Sequence, residues 1–214
     1  NSKIHFILLA AGNSTRFLTK NNKLLSKFKS KTLIEHNLSQ IKDQKFKKIT
    51  LVIGNIKFLK NGIYEDVEII KGGKTRGKSV KNALTKSKFK SKYVIIHDAA
   101  RIIYSNKLLS KLSKLIIKDN YDCIIPYSKC TDTVIKKKIE IDRNNLKLIK
   151  TPQAFIKNKI IKLHLLNKNQ NITDDSKLFR EKSNFKIKYL LDNYLHLKVT
   201  YKEDLESINE LLKL

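Results

Sequence analysis

Short apolar runs alternate with amphipathic stretches over the first 126 residues of the chain. Each run has the length of a buried strand and is followed by a polar or glycine-containing segment. The predicted strands are residues 5–10, 49–53, 67–70, 93–97 and 122–126. The predicted helices are residues 32–44, 79–87, 106–118, 157–166, 174–181 and 203–212. This alternation predicts an α/β fold, doubly wound around a mostly parallel sheet.

The pattern changes between residues 129 and 151. Short alternating segments there flank Arg143-Asn144-Asn145 without helical spacing, which predicts a β-hairpin arm projecting from the sheet. A polar arm of this kind is hard to stabilise alone, so we expect it to contact a partner subunit. Residues 186–192 and 196–200 are predicted late strands. We find no repeat or linker, so we interpret 1–214 as one domain with the arm inserted in it.

The net charge of +27 changes this picture less than its size suggests. Of the 46 basic residues, only five are arginine, and the lysines are spread along the whole chain. A nucleic-acid-binding surface concentrates charge and favours arginine, so we expect no nucleic-acid partner. Where lysine dominates, the remaining arginines point to positions that need a planar, bidentate guanidinium. They are Arg16, Arg76, Arg101, Arg143 and Arg180.

Hydropathy and cysteine spacing suggest the cellular setting. No apolar stretch approaches the ~20 residues that span a bilayer, so we expect no membrane association. Cys123 and Cys130 have neither metal-ligand nor disulfide-framework spacing. We therefore expect two reduced thiols and a cytoplasmic protein.

Polar segments follow the predicted strands at residues 11–23, 72–79, 98–101 and 132–133. Ligands of open parallel sheets bind outside the carboxyl ends of the strands, so these segments should share one rim. One of them has the P-loop spacing Gly72-x-x-x-x-Gly77-Lys78-Ser79, and an aspartate that follows a strand could then hold magnesium. A P-loop nucleoside triphosphatase is thus an alternative, although it leaves the first segment and the second half of the chain without a role.

Taken in order, these segments resemble the 2-C-methyl-D-erythritol 4-phosphate cytidylyltransferases. The matching stretches are LLAAGNSTRF, NNKLL, LIEH, GGKTRGKSV, HDAAR, TDTV, DRNNL, KTPQAF, ITDD and LKVTYKEDL. The resemblance implies a Rossmann-like nucleotidyltransferase fold. It also implies that CTP and 2-C-methyl-D-erythritol 4-phosphate are joined to give 4-diphosphocytidyl-2-C-methyl-D-erythritol and pyrophosphate, in isoprenoid precursor biosynthesis.

The same resemblance implies roles for individual positions. The catalytic residues would be Arg16, Lys23 and Lys198. The residues that bind CTP would be Ala10, Ala11, Gly12, Gly72, Gly73, Ser79 and Ala99. The residues that bind the sugar-alcohol phosphate would be Asp98, Arg101, Thr133, Arg143, Thr151, Thr173 and Lys198. Asp98 would also hold Mg²⁺ or another divalent cation. Arg143 and Thr151 would arrive from the arm of a neighbouring subunit, which makes the expected protein a homodimer.

The chain departs from the family pattern at several positions, and two of these departures are lost prolines. Asn22 and Ile102 stand where the family usually has proline. Losing a proline raises the entropy of the unfolded chain, at a cost of up to ~1 kcal/mol each. These departures weaken the distinction from related enzymes that act on other polyol phosphates, so ribitol 5-phosphate remains an alternative acceptor.

Overall fold

The structure is a computed structural model that describes residues 2–12, 23–28, 30–54, 62–102, 106–169, 171–192 and 197–211. Its strands are β1 (Ile4–Ala10), β2 (Lys27–Phe28), β3 (Lys31–Thr32), β4 (Lys48–Ile53), β5 (Val67–Lys71), β6 (Tyr93–Asp98), β7 (Cys123–Lys129), β8 (Val134–Lys136), β9 (Ile139–Ile141), β10 (Lys147–Ile149), β11 (Gln153–Ile156) and β12 (Ile187–Leu191). Its helices are α1 (Leu33–Asp43), α2 (Arg76–Lys86), α3 (Asn106–Lys118), α4 (Lys157–Leu166), α5 (Lys177–Arg180) and α6 (Lys202–Leu211).

Four neighbouring parallel strands form one half of the main sheet, in the order β6-β1-β4-β5. Every residue of β1, from Ile4 to Ala10, is buried. A strand covered on both faces needs a continuous apolar run rather than an alternating one, and the sequence of β1 provides it. The predicted parallel sheet is confirmed here, and the carboxyl ends of the four strands lie side by side.

The other half of the sheet contains antiparallel pairs. Strand β11 runs antiparallel to both β6 and β7, and β12 pairs with β7 in parallel. Strand β10 pairs with the later part of β7, on the edge that β11 also uses. The mixed sheet arises because the chain leaves the sheet after β7 and returns through β10 and β11 from the opposite direction.

Helices cover both faces of the sheet, as the doubly wound prediction requires. On one face, α1 and α3 pack their apolar sides onto residues such as Phe6 and Ile95. On the other face, α2, α4 and α5 pack onto residues such as Val94 and Phe155. Helix α1 begins with a capping box, in which Thr32 and Glu35 satisfy each other's backbone N–H groups.

The predicted hairpin is present as β8 and β9, joined through Lys137, whose φ is 53°. Its apolar side chains are exposed: Ile135 at 68% and Ile139 at 69%. The strand predicted at 186–192 is confirmed as β12. The strand predicted at 196–200 is wrong, because the described residues there form only an isolated bridge between Arg101 and Lys198.

Two helices begin three residues away from the predicted position. Helix α2 begins at Arg76 rather than at residue 79, because the Thr75 hydroxyl accepts the backbone N–H of Lys78 and caps the first turn. Helix α5 begins at Lys177 rather than at residue 174. The Asp174 carboxylate is instead used to hold the turn before it, where it accepts the Ser176 hydroxyl.

Candidate active site

A cleft of ≈ 1010 Å³ lies at the carboxyl ends of β1, β4, β5 and β6. Its lining is Leu9, Ala11, Gly12, Lys23, Leu24, Gly54, Lys71, Gly72, Gly73, Lys74, Thr75, Arg76, Lys78, Ser79, Asp98, Ala100 and Lys198. The predicted rim is thus confirmed for the segments that follow β1, β5 and β6, whereas residues 132–133 do not reach it. Among the described residues, the lining has several cationic side chains and one carboxylate, so it suits an anionic ligand.

Close packing explains the paired glycines in this rim. A Cβ on Gly72 would come within 2.3 Å of the Ala11 Cβ and 3.0 Å of the Ser79 Oγ, and one on Gly73 would meet the Lys78 Cγ at 2.1 Å. The loops after β1 and β5 therefore approach each other closely because Gly72 has no side chain, and Gly73 leaves room for the stem of Lys78. At Gly12 a Cβ would meet nothing within 4 Å. That glycine lines the cleft but is not required by packing.

The start of α2 does not have the arrangement that a P-loop needs. Ser79 is buried, and its Oγ accepts the Gly73 N–H at 3.0 Å and lies 3.0 Å from the Thr75 carbonyl oxygen. A P-loop serine must instead present its hydroxyl to the nucleotide's magnesium ion. The stem of Lys78 covers Gly73. We conclude that the P-loop spacing in this segment is coincidental and that Ser79 fixes the shape of the loop.

Asp98, at the end of β6, is the carboxylate of the cleft. Its Oδ1 accepts the Arg76 Nε–H at 2.9 Å, and its Oδ2 lies 3.6 Å from the Lys198 Nζ. Burial alone raises the pKa of Asp98, but the attraction of Arg76 and Lys198 outweighs it and lowers the pKa to about 2. Asp98 is therefore ionised at neutral pH.

Arg76 links Asp98 to a second, deeper carboxylate. Its Nη1 donates to the Asp175 Oδ2 at 2.8 Å, and the Asp175 Oδ1 lies 3.0 Å from the His164 Nε2. Burial alone lowers the pKa of Arg76, but the two carboxylates raise it, so the guanidinium stays charged. The arginine predicted to need a planar fork does use its guanidinium in this way.

The turn after β6 is held by groups behind the cleft. The His97 Nε2 lies 3.0 Å from the Arg101 carbonyl oxygen, so this nitrogen carries the proton and, in the neutral ring, Nδ1 accepts the Thr151 hydroxyl. The same hydroxyl accepts the Asp98 N–H at 3.1 Å. Asn37 donates to the carbonyl oxygens of Ala99 and Arg101. These bonds fix the backbone that presents Asp98.

Residues 197–199 bring two predicted catalytic lysines to the cleft. The Val199 N–H donates to the Ala100 carbonyl oxygen at 2.8 Å, which sets Lys198 beside the turn after β6. The Lys23 Nζ donates to the Val199 carbonyl oxygen at 3.0 Å. Both lysines therefore depend on one late segment of the chain, which the sequence predicted as a strand and the structure forms as an isolated bridge.

The predicted site residues fall into three groups. Those that line the cleft are Ala11, Gly12, Lys23, Gly72, Gly73, Ser79, Asp98 and Lys198. Those that lie outside the cleft lining are Ala10, Ala99, Arg101, Thr133, Arg143, Thr151 and Thr173. Arg16 lies outside the described residues. Ala10 and Ala99 are buried behind the lining, whereas Thr133, Arg143 and Thr173 are exposed elsewhere on the surface.

The position of Thr151 differs from the predicted one. It was expected to arrive from the arm of a neighbouring subunit, yet its side chain is buried in its own chain and bonded to Asp98 and His97. It follows β10 and precedes β11, so it belongs to the main sheet rather than to the projecting hairpin. A contribution from a second subunit is therefore wrong for Thr151. Arg143 lies on the exposed arm, where its Nη1 donates to the Thr131 carbonyl oxygen.

The side chains around Asp98 determine what kind of divalent-cation site the cleft could form. Among the described residues there is no group of three or more His, Cys, Asp or Glu side chains that could hold a metal ion. Asp98 offers Oδ2, the oxygen that Arg76 does not use. Magnesium in nucleotide-binding proteins is commonly held by one or two carboxylates together with substrate phosphates and water. The residues present fit that type of site and do not fit a cage built from protein ligands alone.

The model of one protein family, IspD: 2-C-methyl-D-erythritol 4-phosphate cytidylyltransferase, matches residues 4–213. This chain belongs to the IspD family. It is 41% identical over 217 residues to the bifunctional enzyme IspD/IspF of Pelagibacter ubique (strain HTCC1062), covering 97% of this chain and 57% of that protein. It is 32% identical over 219 residues to the 2-C-methyl-D-erythritol 4-phosphate cytidylyltransferase of Prochlorococcus marinus (strain MIT 9301), covering 95% and 96%.

Solved structures agree with this assignment. The bifunctional IspDF of Campylobacter jejuni superposes with a TM-score of 0.83 at 34% identity, covering 96% of this chain and 54% of that one. The 4-diphosphocytidyl-2C-methyl-D-erythritol synthase of Anaerococcus prevotii DSM 20548 gives 0.82 at 27% identity, covering 100% and 99%. This IspD-family chain thus has the nucleotidyltransferase fold. It spans about half the length of the bifunctional relatives that it matches.

Sequence analysis missed several residues that shape this IspD-family site. Arg76 was expected to serve nucleotide binding in the loop after β5, and Asp175 and His164 were not connected with it. Asn37 lies in α1 and reaches the turn after β6 across 62 residues of sequence. Each of these side chains acts by tertiary contact with a distant segment. The only sequence signals were the scarcity of arginine and the paired aspartates of ITDD.

Proposed function

We propose that this chain transfers the cytidylyl group of CTP to 2-C-methyl-D-erythritol 4-phosphate, in isoprenoid precursor biosynthesis. The products are 4-diphosphocytidyl-2-C-methyl-D-erythritol and pyrophosphate. One observation carries the proposal. In a member of this family, a cationic cleft at the carboxyl ends of β1, β4, β5 and β6 holds a single described carboxylate, Asp98, between Arg76 and Lys198.

The reaction mainly requires that the charges of the phosphates are neutralised and that the two substrates are aligned. An oxygen of the acceptor phosphate attacks the α-phosphorus of CTP. A new phosphorus–oxygen bond forms, and the bond from the α-phosphorus to the oxygen bridging to the β-phosphate breaks, leaving its electron pair on pyrophosphate. A phosphate monoester is largely dianionic at neutral pH, so the nucleophile needs no strong base. The protein must suppress repulsion between the two anions and align them.

The residues of the chain divide this task. Lys23 and Lys198 line the cleft and carry positive charge toward the phosphates, and we assign the same role to Arg16. Ala11, Gly12, Gly72 and Gly73 line the nucleotide side of the cleft, where small residues let the backbone approach the base and ribose.

We propose a further role for Asp98 as a metal ligand. We assign it as the protein ligand of Mg²⁺ or another divalent cation, through Oδ2. When bound, such an ion neutralises charge on the phosphates of the nucleotide. The residues of the chain hold Asp98 for this purpose, since Arg76 occupies Oδ1 and the Thr151 hydroxyl anchors its N–H.

We also propose a cytoplasmic homodimer that meets through the arm. Ile135, Ile139 and Leu148 are 68%, 69% and 48% exposed, so the arm presents apolar side chains that a second subunit would cover. Among the described residues, no helix is long and apolar enough to span a bilayer. We propose no nucleic-acid partner, because the lysines are spread along the whole sequence and few of the basic residues are arginines.

A pyrophosphate-release assay tests the function. Each nucleoside triphosphate is offered with 2-C-methyl-D-erythritol 4-phosphate or with ribitol 5-phosphate, with and without Mg²⁺. We expect release with CTP and the first acceptor in the presence of Mg²⁺. Turnover with ribitol 5-phosphate alone would favour the alternative acceptor. No release from CTP with either acceptor would contradict the proposal.

Lys78→Ala separates the proposal from a P-loop mechanism. A P-loop enzyme depends on that lysine for its phosphates and should lose nearly all activity. We expect a loss of about threefold, because the stem of Lys78 packs on Gly73 within the loop. Lys23→Ala and Arg16→Ala should each be far more damaging, by about 100-fold. The reverse ranking would overturn our assignment of the phosphate-binding residues.

A further inference from the structure

A line of charged contacts runs from the helical layer behind the sheet into the cleft. His164 of α4 meets Asp175 at 3.0 Å, Asp175 meets Arg76 at 2.8 Å, and Arg76 meets Asp98 at 2.9 Å. The last member, Lys198, lies 3.6 Å from Asp98 at the cleft surface. The proposed reaction uses Lys198 and Asp98, with Arg76 holding Asp98, and leaves Asp175 and His164 without a role.

Asp175 is the anchor of this line. Its side chain is fully buried, whereas that of Asp98 is 15% exposed. Burial alone raises the pKa of Asp175, but the attraction of Arg76 and the hydrogen bond from His164 outweigh it and lower the pKa. A carboxylate that stays ionised inside the protein must be paired and hydrogen-bonded. Asp175 therefore gives Arg76 a fixed partner away from the ligand.

Arg76 transmits that fixed position to Asp98. Its guanidinium is planar and donates from Nε to Asp98 and from Nη1 to Asp175, so the two carboxylates determine the orientation of the plane. With Oδ1 occupied in this way, the Oδ2 of Asp98 is the oxygen on the side of Lys198. Without Asp175, the guanidinium would be free to turn toward the phosphates of a bound nucleotide.

We propose that Asp175 is a positioning residue for the transfer reaction and acts on Asp98 through Arg76. The inference rests on the proposed function. It assigns to the second aspartate of ITDD a role that differs from ligand binding, since Asp175 contacts the cleft only through the guanidinium. His164 supports the anchor from the opposite side.

Asp175→Asn tests the positioning role by steady-state kinetics. We expect kcat to fall by about 10- to 100-fold, the usual cost of losing such a supporting contact, while KM for CTP changes by less than about threefold. Asp174→Asn is the matched control. Asp174 bonds to Gln153, Ser176 and Arg180 but not to Arg76, so its variant should keep the wild-type kcat.

Arg76→Lys keeps the inference testable if Asp175→Asn does not fold, because the Arg76 side chain is 21% exposed. Lysine keeps the charge but cannot hold two carboxylates with one planar fork. Its kcat should fall as in Asp175→Asn, and the double variant should lose no more than the worse single one. Multiplying losses would mean that the two residues act independently, which overturns the proposal.

A spectrum without substrate separates this inference from the proposed function. The chain has five arginines, so an arginine side-chain nitrogen–proton correlation spectrum has few Nε–H signals, and the one lost in Arg76→Lys belongs to Arg76. We expect that proton to exchange at least about tenfold faster in Asp175→Asn than in wild type or Asp174→Asn. Unchanged exchange, or an Asp175→Asn variant with wild-type kcat, overturns the positioning role alone. An inactive wild type with the expected spectra would overturn the proposed function while Asp175 still orients Arg76.

Discussion

The two ends of α2 carry polar networks of opposite character. At its first residue, Arg76 joins the ionised Asp98 and Asp175 beside the cleft. At its last turn, the Ser87 hydroxyl donates to Glu68, which also accepts the Thr50 hydroxyl. The first network exposes part of its charge to a ligand, whereas the second closes on itself at the amino ends of the strands.

His5 shows how different the closed network is. The Thr50 hydroxyl donates to Glu68 and therefore accepts from the His5 Nε2 at 2.7 Å, which leaves Nδ1 without a proton in the neutral ring. That Nδ1 is buried and has no hydrogen-bond partner among the described residues. Burial, with repulsion from Lys157 and Lys48, lowers the pKa of His5 to about 3. One lysine-rich sequence thus builds a charged network where chemistry is proposed and a neutral histidine where the sheet only needs support.

Asp98→Asn and Glu68→Gln should separate the two networks most sharply. We expect Asp98→Asn to lower kcat by about 100-fold, since it removes the cleft carboxylate that lies between Arg76 and Lys198. Glu68→Gln should cost about 1 kcal/mol of unfolding free energy and leave kcat within about threefold. Steady-state kinetics and urea unfolding measure both. A large kcat loss in Glu68→Gln would refute the division.

The two networks should also lose their contributions to the unfolding free energy in different pH ranges. The folded pKa of His5 lies below its unfolded value, so the unfolded chain binds more protons between about pH 6.5 and pH 3. As the pH is lowered through that window, the unfolding free energy should fall by up to about 1.4 kcal/mol per pH unit. The fall should be less steep in His5→Gln. Asp98 also has a lowered pKa, so its contribution is present above its unfolded value near 3.8 and is lost toward about pH 2. Parallel urea-unfolding profiles of wild type and His5→Gln would contradict the first statement.

Gly72→Ala and Gly12→Ala test whether the cleft end is held by close packing. A Cβ at Gly72 would lie 2.3 Å from the Ala11 Cβ, so the two loops must separate, at about 2 kcal/mol of unfolding free energy. A Cβ at Gly12 would meet nothing within 4 Å, and we expect a change within about 0.5 kcal/mol. Thermal or urea unfolding provides the comparison. Equal losses of unfolding free energy in the two variants would show that both positions need glycine for its backbone freedom and not for close packing.

Modest effects should come from the hydroxyls at the two ends of the helix. Thr75→Ala removes the cap that accepts the Lys78 N–H, and Ser87→Ala removes a donor to Glu68. Each should cost about 1 kcal/mol of unfolding free energy. Only Thr75→Ala should also raise KM for CTP, because Thr75 lines the cleft. A KM increase in Ser87→Ala would mean that the closed network reaches the ligand.

Much of the fold could be predicted because local pattern and tertiary role coincide. The apolar run of β1 and the helical spacing of α3 each describe an element that packs by its own hydrophobicity, and their bounds were predicted within one residue. Prediction failed where a distant contact decides the conformation. Residues 197–199 bond to the turn after β6 and to Lys23, and the start of α5 depends on how Asp174 is bonded.

The sequence by itself determined the parallel strands, the helices that cover them and the rim on which small and basic residues gather, because hydrophobic periodicity is a local property. Its motifs also determined the family. Only the tertiary structure decided how the charges are paired: Asp98 is shared by Arg76 and Lys198, Arg76 is anchored on Asp175, and Ser79 turns inward. Charge pairing depends on distances of a few ångströms between residues up to 100 positions apart, such as Asp98 and Lys198, and no local pattern encodes those distances.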